Sequence, residues 1–130
     1  MRRLDLSILP ETFAIARLDP LAPLPPLEDS GVLTSITRTS QELSLVCVES
    51  AVPPRAPASR GWRAIRVAGA LDFSLTGILA SLATPLAEAG ISIFALSTHD
   101  TDYVLVKDET LPRAVDALTG AGHCFFEHKP

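Results

Sequence analysis

Residues 31–50, GVLTSITRTSQELSLVCVES, lie over residues 90–109, GISIFALSTHDTDYVLVKDE, without a gap. Gly31 meets Gly90, Val32 meets Ile91, Thr39 meets Thr98 and Glu49 meets Asp108. The apolar runs on either side of each threonine fall at the same places, so one strand–turn–strand pattern is written twice. A chain that repeats itself in this way is two copies of one small unit, and that limits the folds open to it more than any single motif does.

The second copy reads as a complete unit. Residues 62–69, WRAIRVAG, are β-rich. From Leu75 the apolar residues Leu75, Ile78, Leu79, Leu82 and Leu86 recur in steps of three and four, one stripe of a helix. Pro85 cannot donate to Ser81, and Gly90 supplies the left-handed turn that ends the helix. Residues 91–97 are a strand, 98–101 a turn and 102–107 a strand. A second helix follows over 108–122, capped by Asp108 or Thr110, with Pro112 in its first turn and Leu111, Val115 and Leu118 as its stripe. Gly120 and Gly122 end it, and 123–128 close as a strand. The order is βαββαβ, an α+β, ferredoxin-like unit.

The first copy lacks the helices. Residues 12–18, TFAIARL, take the part of the first strand. Residues 19–30 then carry four prolines, and residues 51–61, AVPPRAPASRG, replace the second helix with a Pro-rich connector. The expected organisation is therefore a degenerate, helix-poor half over residues 1–58 and a full unit over 59–130. Joining the two sheets edge to edge covers strand edges that would otherwise be exposed.

Composition removes several function classes. Net charge is −4 with scattered Lys and Arg, and only five Phe, one Trp and one Tyr are present, which argues against a nucleic-acid partner. Residues 77–96 hold a single charge, Glu88, but Pro85 and Gly90 divide them into a helix and a strand, not a membrane span. Asp5 and Pro10 interrupt the N-terminal apolar residues, so no signal peptide is expected. Cys47 and Cys124 sit in apolar strand-like runs and read as buried free thiols, consistent with a cytoplasmic home. Ser74, Ser92 and Ser97 belong to no nucleophile elbow, and no phosphate loop occurs, so no enzyme activity and no cofactor are expected. His99, Asp100 and Asp102, or Cys124 with His128, are too few for a metal site. Trp62 reads as packing before ligand stacking.

One stretch asks for an explanation. Residues 72–79, DFSLTGIL, put a carboxylate, two hydroxyls and a glycine at the mouth of a helix. Asp72 and Ser74 either cap that helix, a stabilisation of about 1 kcal/mol, or share the mouth with a ligand. The first turn of a helix has amide N–H groups without partners and roughly half a positive charge. It suits the carboxylate of a free amino acid. The ammonium group then needs acceptors, from the carbonyls of residues 91–93 or from Asp72 or Asp102. Gly77 lets backbone come close, and Leu75, Ile93 and Phe94 offer an apolar lining. Residues 98–102 are either a second wall or simply a polar turn.

Residues 72–111, DFSLTGILASLATPLAEAGISIFALSTHDTDYVLVKDETL, resemble an ACT domain. More narrowly, they are similar to the tandem-ACT proteins related to the CASTOR arginine sensors and to the regulatory end of aspartate kinases, and TRTSQELSLVC in the first half resembles their weaker copy. The resemblance implies a regulatory module that binds a free amino acid where two ACT units meet, often across a homodimer, and that acts on a regulated enzyme. Carried over by position, it places Asp72, Ser74, Leu75, Thr76 and Gly77 in the loop at the helix mouth. Ile91, Ser92, Ile93 and Phe94 become the strand facing the ligand, and Thr98, His99, Thr101 and Asp102 the turn beside it. In the arginine sensors the place of Leu75 is acidic, so leucine here points to a smaller or less basic amino acid. The rival expectation is a docking module for a partner enzyme that has no working ligand site.

Overall fold

The structure, a computed structural model, describes residues 3–26, 32–69, 72 and 75–126. The chain forms two compact units, one of Met1–Pro10 with Arg63–Pro130 and the other of Glu11–Trp62.

Among the described residues, both α-helices lie in the first unit. Its strands are β1 (Asp5–Ile8), the second half of β5 (Ala58–Val67), β6 (Ile93–Ser97), β7 (Asp102–Lys107) and β8 (Cys124–Phe126), with helices α1 (Ile78–Glu88) and α2 (Leu111–Gly120). From β5 onward the order is βαββαβ, as the apolar periodicities predict. The strand order across the sheet is β6-β7-β5-β1-β8. β1 is the addition. It runs antiparallel to β5, with Leu6 opposite Val67, and parallel to β8, with Leu6 beside Phe125. Leu4 and Leu6 are buried in the same core as α1 and α2, while Asp5 between them is exposed. That alternation is why the first ten residues group with the C-terminal part of the chain, where the sequence assigned them to the degenerate half.

α1 and α2 pack over this sheet. Ile78, Leu82 and Leu86 of α1 meet Ala114 and Leu118 of α2 and Ile65, Val67, Val104 and Val106 of the sheet. Each large aliphatic side chain buried this way contributes about 1.5–3 kcal/mol. Both helices end on the same device. Gly90, at φ 72°, lets its own N–H donate to Ala87 and the Ile91 N–H donate to Leu86. Gly122, at φ 101°, does the same with Thr119 and, through His123, Leu118. Each is a Schellman closure that turns the next residue, Ile91 or His123, into the core.

Two helix starts differ from expectation. α1 begins at Ile78 and not at Leu75, because Gly77 stands at φ 76° as its N-cap and the Leu75 N–H closes a turn on the Asp72 carbonyl. Leu75 is therefore a loop residue. Neither Asp108 nor Thr110 caps α2: residues Asp108–Thr110 form a 3₁₀ turn, and the Thr110 hydroxyl donates to the Lys107 carbonyl. Cys124 also departs from the reading as a buried thiol. It points to the exposed side of β8 opposite Asp5, whereas Cys47 is fully buried.

The second unit is built from β2 (Phe13–Leu18), β3 (Ser35–Arg38), β4 (Leu43–Val48) and the first half of β5, in the order β3-β4-β2-β5. The internal repeat is visible in it. β4 and the 3₁₀ turn Glu49–Ala51 correspond to β7 and Asp108–Thr110, and the Thr39 turn corresponds to the Thr98 turn. In both turns the threonine N–H donates to the residue three further on, Glu42 in one and Thr101 in the other. After the 3₁₀ turn the copies part. The second runs into α2; the first runs into prolines 53 and 54, and Ala51, Val52 and Ala56 of the connector cover Ala16, Leu45 and Cys47. An irregular, proline-stiffened segment thus seals the face that a helix seals in the other copy.

Candidate functional site at the mouth of helix α1

A cavity of about 340 Å³ opens beside the N-terminus of α1. One wall is the entrance loop and first turn of the helix, with Asp72, Leu75, Gly77, Ile78 and Leu79. The other is the β6–β7 turn, with Ser97, Thr98, His99, Asp100, Thr101 and Asp102. Two segments that the sequence nominated separately are thereby brought together.

The helix mouth has no side-chain cap, because its N-cap is Gly77. The amides of Ile78, Leu79 and Ala80 have no acceptor within the helix, as for any first turn. The first amide that does is that of Ser81, whose N–H and Oγ both donate to the Gly77 carbonyl, at 2.9 and 2.7 Å. The positive end of the helix dipole is thus next to the cavity, unclaimed by a capping carboxylate at that position.

The turn on the other side is held rigidly. Thr98 N–H donates to the Thr101 carbonyl at 2.8 Å, and the Thr101 N–H returns a bond to the Thr98 hydroxyl at 3.2 Å. The Thr101 hydroxyl, 3% exposed, donates to the Val67 carbonyl at 2.7 Å and ties the turn to β5. Ser97 Oγ donates to Asp102 Oδ1 at 2.5 Å, and His99 Nδ1 lies 2.9 Å from Asp100 Oδ1 on the solvent-exposed tip. The cavity therefore carries three carboxylates, one imidazole and several hydroxyls on its polar side, and Leu75, Ile78 and Leu79 on its apolar side. It offers acceptors for an ammonium group, helix amides for a carboxylate and a short greasy wall for a side chain.

Seven of the thirteen residues nominated from the sequence line this cavity: Asp72, Leu75, Gly77, Thr98, His99, Thr101 and Asp102. Thr76 is exposed on the loop between Leu75 and Gly77 and is not among the lining residues. Ser74 lies outside the described residues. Ile91, Ser92, Ile93 and Phe94 are elsewhere, at the far end of β6 from the turn. Ile91 is in the core beneath the helices and Ile93 packs against it, while Ser92 is exposed. The sequence missed Ser97, Ile78, Leu79 and Asp100 as lining. Ile78 and Leu79 were counted only as a helix stripe, although the glycine before them marks where the first turn begins.

Arg38 in the degenerate copy is the counterpart of Ser97, and its exposed guanidinium donates to the Pro20 and Ala22 carbonyls, the latter at 2.8 Å.

Comparison with known proteins settles the family. The model of the ACT domain matches residues 58–120. The chain carries an ACT domain over these residues. A second family model, described as an N-terminal domain, matches residues 11–55. Among solved structures, protein Atu0741 from Agrobacterium tumefaciens is 37% identical, with a TM-score of 0.91, covering 100% of this chain and 97% of that one. The ligand-free regulatory subunit of aspartate kinase from Thermus thermophilus shares the fold at 14% identity, with a TM-score of 0.63 over 90% of this chain and 96% of that one. The human cytosolic arginine sensor for mTORC1 subunit 1 is 38% identical over 58 residues. That stretch is 44% of this chain but only 18% of the sensor. ACT domains generally bind amino acids in regulatory roles. Among the described residues, no helix of this ACT protein is long and apolar enough to cross a membrane, and no group of three metal-ligating side chains assembles.

Proposed function

We propose that this ACT protein is a regulatory module that binds one free amino acid per chain in the cavity between the entrance of α1 and the β6–β7 turn. The observation that carries the reading is the open helix mouth. Gly77 begins α1 without a side-chain cap, and the mouth faces a cavity whose opposite wall carries Asp100 and Asp102. The zwitterion's carboxylate sits at the amides of residues 78–80. Its ammonium is held by the carboxylates of Asp72 or Asp102. The Leu75–Leu79 wall admits a short apolar side chain.

We place the residues 91–94 strand in a dimer. β6 pairs with β7 alone among the described strands, and so presents an edge to which a second copy can bring its own chain. The output is then a change in that assembly or in a partner enzyme, in a cytoplasmic setting that fits two free cysteines. Isothermal titration with each common amino acid tests the reading. Saturable heat with one of them, lost in Asp102→Ala, is expected; a chain that docks a partner without a ligand gives none.

A further inference from the structure

His123 is 2% exposed and is bonded through both ring nitrogens. Its Nδ1 lies 3.0 Å from the Leu4 amide nitrogen, which is a donor, so Nδ1 must accept. Its Nε2 lies 2.8 Å from the Ser81 carbonyl oxygen, which is an acceptor, so Nε2 carries the hydrogen and donates. The Ser81 carbonyl is the one whose donor, one helical turn on, would be residue 85. Residue 85 is Pro, inside α1, and has no N–H. A side chain from beyond α2 therefore supplies the bond that the helix cannot make for itself.

Ser81 also reaches the other way. Its N–H and Oγ both end on the Gly77 carbonyl, and Gly77 lines the cavity. The route from Leu4 through His123 and Ser81 to the helix mouth is a run of hydrogen bonds, each 3.0 Å or shorter. We propose that His123 is a positioning residue for the cavity: it fixes the first turn of α1, and with it the amides at the mouth, because Pro85 has removed the bond that would otherwise do so. The step from the first turn to a ligand rests on the amino-acid-binding reading; the step from His123 to the first turn does not.

The experiment compares the natural chain with His123→Phe, His123→Gln, Pro85→Ala and the Pro85→Ala/His123→Phe double variant. Amide hydrogen exchange at Ser81 reports the first turn. Phe keeps the packing and loses both bonds, whereas the Gln amide keeps one acceptor and one donor. With Pro85 in place, His123→Phe should speed exchange at Ser81 about tenfold, through loss of the bond to the Ser81 carbonyl. His123→Gln should restore most of it. With Pro85→Ala the helix supplies its own donor, and His123→Phe should leave Ser81 exchange nearly unchanged. Equal acceleration in both backgrounds, or a Gln variant that behaves like Phe, overturns the proposal. If His123→Phe does not fold, its rescue by Pro85→Ala supports the proposal and failure in both backgrounds overturns it. The same proteins are then titrated with each of the twenty common amino acids. An amino acid that binds the natural chain should bind His123→Phe about tenfold more weakly and recover in the double variant. Binding untouched by His123→Phe sinks the positioning role and leaves the site standing. Coupled exchange with no binding to any of the proteins keeps the clasp and sinks the site.

Discussion

His123 Nε2 donates at 2.8 Å to the Ser81 carbonyl, the acceptor that Pro85 leaves without a partner in α1. The proline and the histidine are complementary halves of one arrangement. The first opens a buried carbonyl and the second closes it, while Nδ1 accepts from Leu4, the residue just before β1. Replacing His123 with Phe leaves a buried donor and a buried acceptor without partners. Each costs about 1–3 kcal/mol. Urea denaturation should show a loss of about 2–6 kcal/mol for His123→Phe.

Gly77 and Gly90 bracket α1, both at positive φ and both with open space where a Cβ would go. Alanine at either should therefore cost only the backbone strain, about 1–2 kcal/mol. Their effects on binding should differ. Gly77→Ala moves the wall of the cavity and should weaken an amino acid's stabilising effect, whereas Gly90→Ala, at the far end of the helix, should leave it intact. Paired thermal melts with and without the amino acid read the difference.

Thr101 was nominated as a ligand contact, yet its hydroxyl is committed to the Val67 carbonyl at 2.7 Å. Thr101→Val keeps the shape and removes the bond, leaving a buried carbonyl unpaired. A loss of about 1–2 kcal/mol is expected in denaturant melts. Asp102→Ala, on the partly exposed neighbour, should change stability less and binding more.

The βαββαβ order of the second copy was legible because α1 and α2 each carry an apolar stripe at helical spacing and each end on a glycine. That the described residues of the first copy form no α-helix was legible in its prolines. What escaped was the partner of each piece. Leu4 and Leu6 flank Asp5 at strand spacing, a signal present in the chain, but nothing local shows that β1 inserts between β5 and β8. Gly77 was read as giving room for a ligand, when its positive φ also moves the start of α1 past Leu75. The role of His123 depends on an acceptor 42 residues away, exposed by a proline. Ile91 to Phe94 were placed by family position, and one chain alone does not bring them to the cavity.

The two thiols should behave oppositely. Cys124 is exposed and should react with Ellman's reagent in the folded protein, while Cys47 should react only on unfolding. Burial raises the Cys47 pKa above a thiol's ordinary 9.0, and Arg60 opposes this in smaller part. The folded state thus holds the Cys47 proton at a pH where the unfolded state releases it. Its contribution to stability is complete below pH 9.0 and is lost as pH rises from there through the folded value. Cys47→Ala should flatten the alkaline limb of a stability–pH curve.

The most direct measurement is the thermal midpoint of the full chain with each of the twenty common amino acids at saturating concentration. A ligand at about a hundred times its Kd stabilises by about 2.7 kcal/mol, which is several degrees for a chain of this size. The account predicts that one amino acid, or a few with short apolar side chains, raises the midpoint and that Asp102→Ala abolishes the rise. A midpoint that no amino acid moves, with no heat on titration, would contradict it.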